Sequence, residues 1–111
     1  MTKQVLKKQF DLQINKAVEA LKTYNPDKII LYGSVARGDF NENSDIDLLI
    51  IKKGVDKIRP HLRIYQVLKL LQDSSRVEPK VYTPQELAFR IKYHDWHLDE
   101  AVEQGKILYE K

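Results

Sequence analysis

Gly33-Ser34-Val35-Ala36-Arg37-Gly38, followed after a polar turn by Ser44-Asp45-Ile46-Asp47-Leu48-Leu49-Ile50-Ile51, is the stretch that decides the fold. Its second half, Asp45 to Ile51, reads as a strand whose near-continuous apolar tail suits burial on both faces. Ahead of it stands another apolar run, Lys28-Ile29-Ile30-Leu31-Tyr32, a strand by the same signs. Gly33 to Gly38 reads as a tight turn or short helical start, and Asp39 to Ser44 as a loop with turn chemistry.

Upstream, Leu6, Phe10, Ile14, Ala17 and Leu21 recur at three- and four-residue steps between Val5 and Tyr24, which predicts an amphipathic helix broken by Asn25-Pro26-Asp27. Downstream, Leu62, Tyr65, Leu68 and Leu71 predict a second helix between Ile58 and Leu71, with Pro60 in its first turn. Asp73-Ser74-Ser75 would close it. Arg76 to Tyr82 reads as a weaker strand that Pro79 confines to an edge or bulge. Thr83-Pro84-Gln85-Glu86 has the form of a capping box and starts a helix toward Tyr93. A further helix is expected over Trp96 to Gln104, stopped by Gly105, before Lys106-Ile107-Leu108-Tyr109 ends the chain as a short strand. The pattern is α+β, or mixed α/β: a small mixed sheet flanked by helices.

The 111 residues are expected to form one domain, 1–111. Nineteen basic residues against 16 acidic ones leave a formal charge of +3, spread along the chain, so dedicated nucleic-acid binding is not implied. Cysteine is absent, which excludes disulfides, thiolate catalysis and Cys-ligated zinc. The lysine-rich start carries no apolar signal core, and no apolar run reaches membrane-spanning length; a cytoplasmic location is expected.

Alternation along a strand places Asp45 and Asp47 on one face and Ile46, Leu48 and Ile50 on the other. Two neighbouring carboxylates repel unless a divalent cation sits between them, and hard oxygen ligands suit Mg²⁺ or Mn²⁺ shared with substrate phosphates. In the turn, Gly33 lets backbone amides approach a phosphate, the Ser34 hydroxyl can donate to a phosphate oxygen, and Arg37 can add charge-assisted contacts. Either half alone is commonplace. Together, at one separation, they should arise by chance in on the order of one chain in a thousand. Two related motifs fail: Asp39 and Phe40 stand where a P-loop needs Lys and Ser or Thr, and Ser44 and Ile50 replace the glycine and closing glutamate of an EF-hand.

With Ala36-Arg37-Gly38 and Ser44 inside it, the pattern Gly-Ser, ten residues, Asp-x-Asp resembles the nucleotidyltransferases of the DNA polymerase β superfamily. The small size is most similar to the minimal nucleotidyltransferases, often encoded beside a HEPN-domain partner in toxin–antitoxin pairs. The resemblance runs from Lys28 to Gly105-Lys106-Ile107-Leu108-Tyr109 and implies the polymerase-β-like fold. It also implies that Gly33 and Ser34 bind the triphosphate, and that Asp45 and Asp47 hold the catalytic metals. The third carboxylate of that pattern, normally Asp, falls on Glu78, which would serve as metal ligand or base; Asp73 is the fallback.

The resemblance implies transfer of AMP from ATP to a partner hydroxyl such as tyrosine, silencing a HEPN-type RNase toxin. Larger relatives hold the acceptor with an added helical domain for which this chain is too short. A catalytically weak binding module that neutralises its partner by contact is the alternative of another class; a small-molecule, antibiotic-type nucleotidyltransferase is a third. A homo-oligomer is left open. Phe89, Tyr93 and Trp96 are expected in the core, with partner contact second. His61, His94 and His97 form no metal-ligand set.

Overall fold

The computed structural model describes residues 1–72, 76–93 and 95–111. Helix α1, Lys3–Leu21, is capped by Thr2, whose hydroxyl accepts from the Val5 N–H, and it buries Leu6, Phe10, Ile14, Ala17 and Leu21. A 3-10 turn at Lys22–Tyr24 replaces the last turn expected of it, and Asn25 then takes a left-handed conformation before Pro26.

Strand β1, Lys28–Tyr32, runs into the short helix α2, Ser34–Arg37; strand β2, Ile46–Ile51, returns antiparallel to β1 with Asp47 opposite Tyr32. Asp45 immediately precedes β2 instead of opening it. Helix α3, Pro60–Leu71, crosses to strand β3, Val77–Tyr82, which lies parallel to β2 with Glu78 opposite Asp47. Helix α4, Pro84–Lys92, begins with the expected capping box between Thr83 and Glu86. Helix α5, Trp96–Gln104, leads into strand β4, Lys106–Glu110, antiparallel to β1. Strand order is β3-β2-β1-β4, the mixed α+β architecture expected, and Pro79 sits on an edge strand with its register unbroken.

Alternation divides the core between the two faces of the sheet. Ile29, Leu31, Ile46, Leu48, Ile50 and Val81 pack against α1 and α3 through Phe10, Leu21 and Val67. On the other face Ile30, Tyr32 and Leu49 meet Leu87 of α4 and Leu98 and Ala101 of α5. No helix is long and apolar enough to cross a membrane among the described residues.

The helix at Pro60–Leu71 forms as expected, with a buried face that its apolar period does not mark, and one expectation about burial is overturned. Along α3 the sheet receives Arg63, Val67 and Leu71, while Leu62, Tyr65 and Leu68 are exposed. The reason is polar: the Arg63 guanidinium, only 1% exposed, donates through Nε to the Ile58 carbonyl, through one terminal nitrogen to Val81, and bidentately to Glu86 at 2.6 and 2.9 Å. A fully bonded guanidinium can occupy a core position that its charge alone would forbid. The aromatics Phe89, Tyr93 and Trp96 are also outside the core, 64%, 64% and 81% exposed, because α4 and α5 turn Leu87, Leu98 and Ala101 inward instead. Asp73, the Asp73-Ser74-Ser75 helix stop and His94 lie outside the described residues.

Candidate active site

The pleat of the sheet assembles the site. Tyr32, Asp47 and Glu78 are direct neighbours across β1, β2 and β3, so their side chains share one face. Lys80, two residues beyond Glu78, is on that face as well. Here α5 leaves an open cleft of about 860 Å³, whose walls include Gly33, Ser34 and Arg37 from the turn, Asp47 and Glu78 from the sheet, and His97 from α5. A larger cleft of about 1050 Å³ shares His97 with it and is lined by Tyr82, Phe89, Tyr93 and Trp96. It lacks Asp47, Glu78 and the Gly-Ser turn, so the smaller cleft is the candidate site.

Gly33 has two reasons to be glycine. Its φ of +80° is one that side-chain-bearing residues rarely adopt, and a Cβ there would collide with the carboxylate of Asp47. The turn and the Asp strand, separated in sequence by a polar loop, are thereby in contact. That loop is held by its own side chains: the Ser44 hydroxyl accepts from the Asn41 N–H at 2.8 Å, and the Asn41 side chain accepts from the Asn43 N–H at 2.7 Å. In α2 the N–H of Arg37 bonds to Gly33 and that of Gly38 to Ser34, leaving the first-turn N–H groups without acceptors inside the helix.

Asp47 is half-buried, and its carboxyl is pushed up to about 6, first by burial, then by the charges of Glu78 and Asp45; Lys80 opposes the shift. The same environment raises the Tyr32 hydroxyl, through burial foremost and Asp47 second. Asp45 is exposed and does not line this cleft, although its charge acts on Asp47. Among the described residues no three Asp, Glu or His side chains converge tightly enough to cage an ion. The donor set nonetheless fits a Mg²⁺ ion that completes its shell with substrate oxygens, which is how that ion commonly binds. Hard carboxylate oxygens repel one another here, and a cation would relieve the repulsion.

Arg37 lines the cleft as expected, but its guanidinium is engaged: it donates to Glu100 of α5 at 2.7 Å and lies 3.3 Å from Asp39. That pairing ties the turn to α5 and leaves less of its charge for a phosphate. His97 reaches both clefts from the first turn of α5.

The polymerase beta nucleotidyltransferase family matches residues 15–111. The chain belongs to that family. A Methanocaldococcus jannaschii protein described as a candidate protein adenylyltransferase is 33% identical to this nucleotidyltransferase-family chain over 55 residues, 50% of the chain and 56% of the relative. A second protein of that organism, with the same description, is 71% identical over 24 residues, 22% of the chain and 24% of the relative. The chain thus spans little more than half of one such relative and about a quarter of the other.

Among solved structures, a candidate nucleotidyltransferase from Sulfolobus solfataricus is similar over 100% of this chain and 90% of its own, with a TM-score of 0.67 at 19% identity, which shows the fold. A toxin–antitoxin crystal structure with AMP-PNP is similar over 87% of this chain and 73% of the matched one, with a TM-score of 0.55 at 25% identity. Two features of this nucleotidyltransferase cleft escaped sequence reasoning. The Arg37–Glu100 pair joins residues 63 positions apart, and Lys80 belongs to no motif; only its two-residue step from Glu78 could have marked it.

Proposed function

We propose that this protein transfers AMP from ATP to a hydroxyl group of a partner protein, and that the partner is a HEPN-type toxin. One observation carries the chemistry: Gly33 packs against the Asp47 carboxylate, and Glu78 stands beside Asp47 in the same cleft. Support for ATP and for a toxin partner comes from the family membership, the adenylyltransferase descriptions of the relatives, and the toxin–antitoxin neighbour with AMP-PNP.

In this reading the turn at Gly33 and Ser34 holds the triphosphate by backbone N–H groups and the serine hydroxyl. Asp45, Asp47 and Glu78 would hold Mg²⁺, which when bound offsets phosphate charge and favours ionisation of the attacking hydroxyl. Glu78 accepts the proton of the acceptor hydroxyl. The acceptor oxygen forms its bond to the α-phosphorus as the bond from that phosphorus to the bridging oxygen breaks, and pyrophosphate leaves with the electron pair. Arg37, steadied by Glu100, keeps the turn in place.

The test is the intact mass of the partner co-expressed with this protein. Wild type is expected to add one or more nucleotidyl groups, and Glu78→Gln to add none while still forming the complex, since the amide keeps the shape and loses the base. A partner that is bound and inhibited but never modified would overturn the transfer and leave neutralisation by contact. Modification that persists with Glu78→Gln would remove Glu78 from the site.

A further inference from the structure

The cleft is lined by two basic side chains, Arg37 and Lys80. They are placed differently. Arg37 belongs to the phosphate turn and is occupied by Asp39 and Glu100. Lys80 is across the sheet: the order β1, β2, β3 puts Gly33 at the end of the first strand, Asp47 on the second and Glu78 with Lys80 on the third. Two strand spacings, about 9.6 Å, separate the turn from β3, and Lys80 stands about 7 Å along β3 from Glu78 on the same face. Among the described residues no ion pair within 4.0 Å engages the Lys80 ammonium. Its side chain nonetheless lines the cleft beside Asp47 and Glu78.

Displacement at phosphorus proceeds in line, with the attacking and leaving oxygens on opposite sides. With the leaving pyrophosphate on the Gly33-Ser34 turn, the transferred phosphoryl group lies over Asp47 and the acceptor comes from the β3 side. We propose that Lys80 is the cation that contacts the non-bridging oxygens of the transferred phosphoryl group, so that leaving group and transferred group are held by different strands. The inference rests on the transfer reaction proposed above and adds a residue to it. The proton of the acceptor goes to Glu78, and the electron pair of the broken bond goes to pyrophosphate. The half-buried lysine keeps a compact ammonium at the end of a long stem, suited to follow phosphoryl oxygens as charge builds on them.

The halves of the nucleotide separate this role from a general electrostatic one. Binding of AMP, of pyrophosphate and of the uncleavable α,β-methylene-ATP is measured by calorimetry, each with Mg²⁺, on wild type, Lys80→Met, Lys80→Arg and Ser34→Ala. Losing one charge-assisted contact is worth about ten- to a hundredfold in affinity. Lys80→Met should weaken AMP by that factor and leave pyrophosphate within about twofold. Ser34→Ala should do the reverse, and Lys80→Arg should restore most of the AMP affinity. A merely structural lysine would lower the melting temperature without splitting the two ligands. Lys80→Met weakening pyrophosphate as much as AMP, or weakening neither, would overturn the assignment while the transfer reaction stands. Wild type that binds none of the three ligands would overturn the reaction and the Lys80 role with it.

Discussion

Asp47→Asn should make the protein more stable while removing its activity. In the folded chain the Asp47 carboxyl titrates at about 6 against an ordinary 3.8, pushed there by burial and by Glu78 and Asp45. At about 1.4 kcal/mol per pH unit, that difference corresponds to about 3 kcal/mol stored against the fold when the group is ionised. Half-burial lets water screen part of it, so about 2 kcal/mol is the working figure. Asparagine keeps the volume and sheds the charge. For the sign, the unfolded chain releases this proton near pH 3.8 and the folded chain near pH 6, so between them the folded state binds more protons and stability falls as pH rises.

Thermal melts of the two proteins, without nucleotide or divalent cation, should therefore coincide near pH 3.5, diverge between about pH 4 and pH 6 and stay apart above it, with the variant melting about 5–10 °C higher at pH 7. Added Mg²⁺ and ATP should then raise the wild-type melting temperature more than that of the variant, because only a state that binds gains from ligand. A variant that is less stable at pH 7, or a gap that does not change with pH, would refute the electrostatic account of this carboxylate.

Gly33→Ala adds a Cβ against the Asp47 carboxylate at a φ of +80°, and should cost about 1–3 kcal/mol and the nucleotide affinity together; denaturant melts and calorimetry with Mg²⁺-ATP check both. Gly38→Ala, at a φ of +93° with open space around it, should strain the backbone and spare the binding. Glu86→Gln should lower stability at pH 7 by about 2 kcal/mol, since it leaves the buried Arg63 without its countercharge and the α4 cap with a weaker acceptor. The Glu86 carboxyl is held down at about 2 from an ordinary 4.5, first by Arg63, so this contribution is complete above pH 4.5 and is lost as pH falls toward 2; melts of wild type and Glu86→Gln should converge there.

The paired strands and the facing of Asp47 were legible because alternation is local: Ile46, Leu48 and Ile50 announce one face, and the Asp side follows from it. Glu78 was legible as the neighbour of Asp47 only through a family resemblance, for nothing in its own segment indicates a register against β2. The facing of α3 was not legible because apolar periodicity treats arginine as a surface residue, whereas the acceptors that bury Arg63 come from the loop before α3, from β3 and from α4. The exposure of Phe89, Tyr93 and Trp96 was hidden for a similar reason: small and aliphatic side chains at Leu87, Leu98 and Ala101 fill the sheet-facing positions, and no composition rule ranks them above a tryptophan. Arg37 had the right address and an unforeseen partner in Glu100.

The central claim is that the nucleotidyl group of ATP, with its α-phosphorus, moves to a partner protein. Its most direct test gives the partner complex Mg²⁺ and ATP labelled with phosphorus-32 at either the α- or the γ-position, and follows the label on the separated partner. The account predicts that α-label stays on the partner, that γ-label leaves as pyrophosphate, and that both signals vanish with Asp47→Asn. Label retained from the γ-position, or equal α-label with wild type and Asp47→Asn, would contradict it.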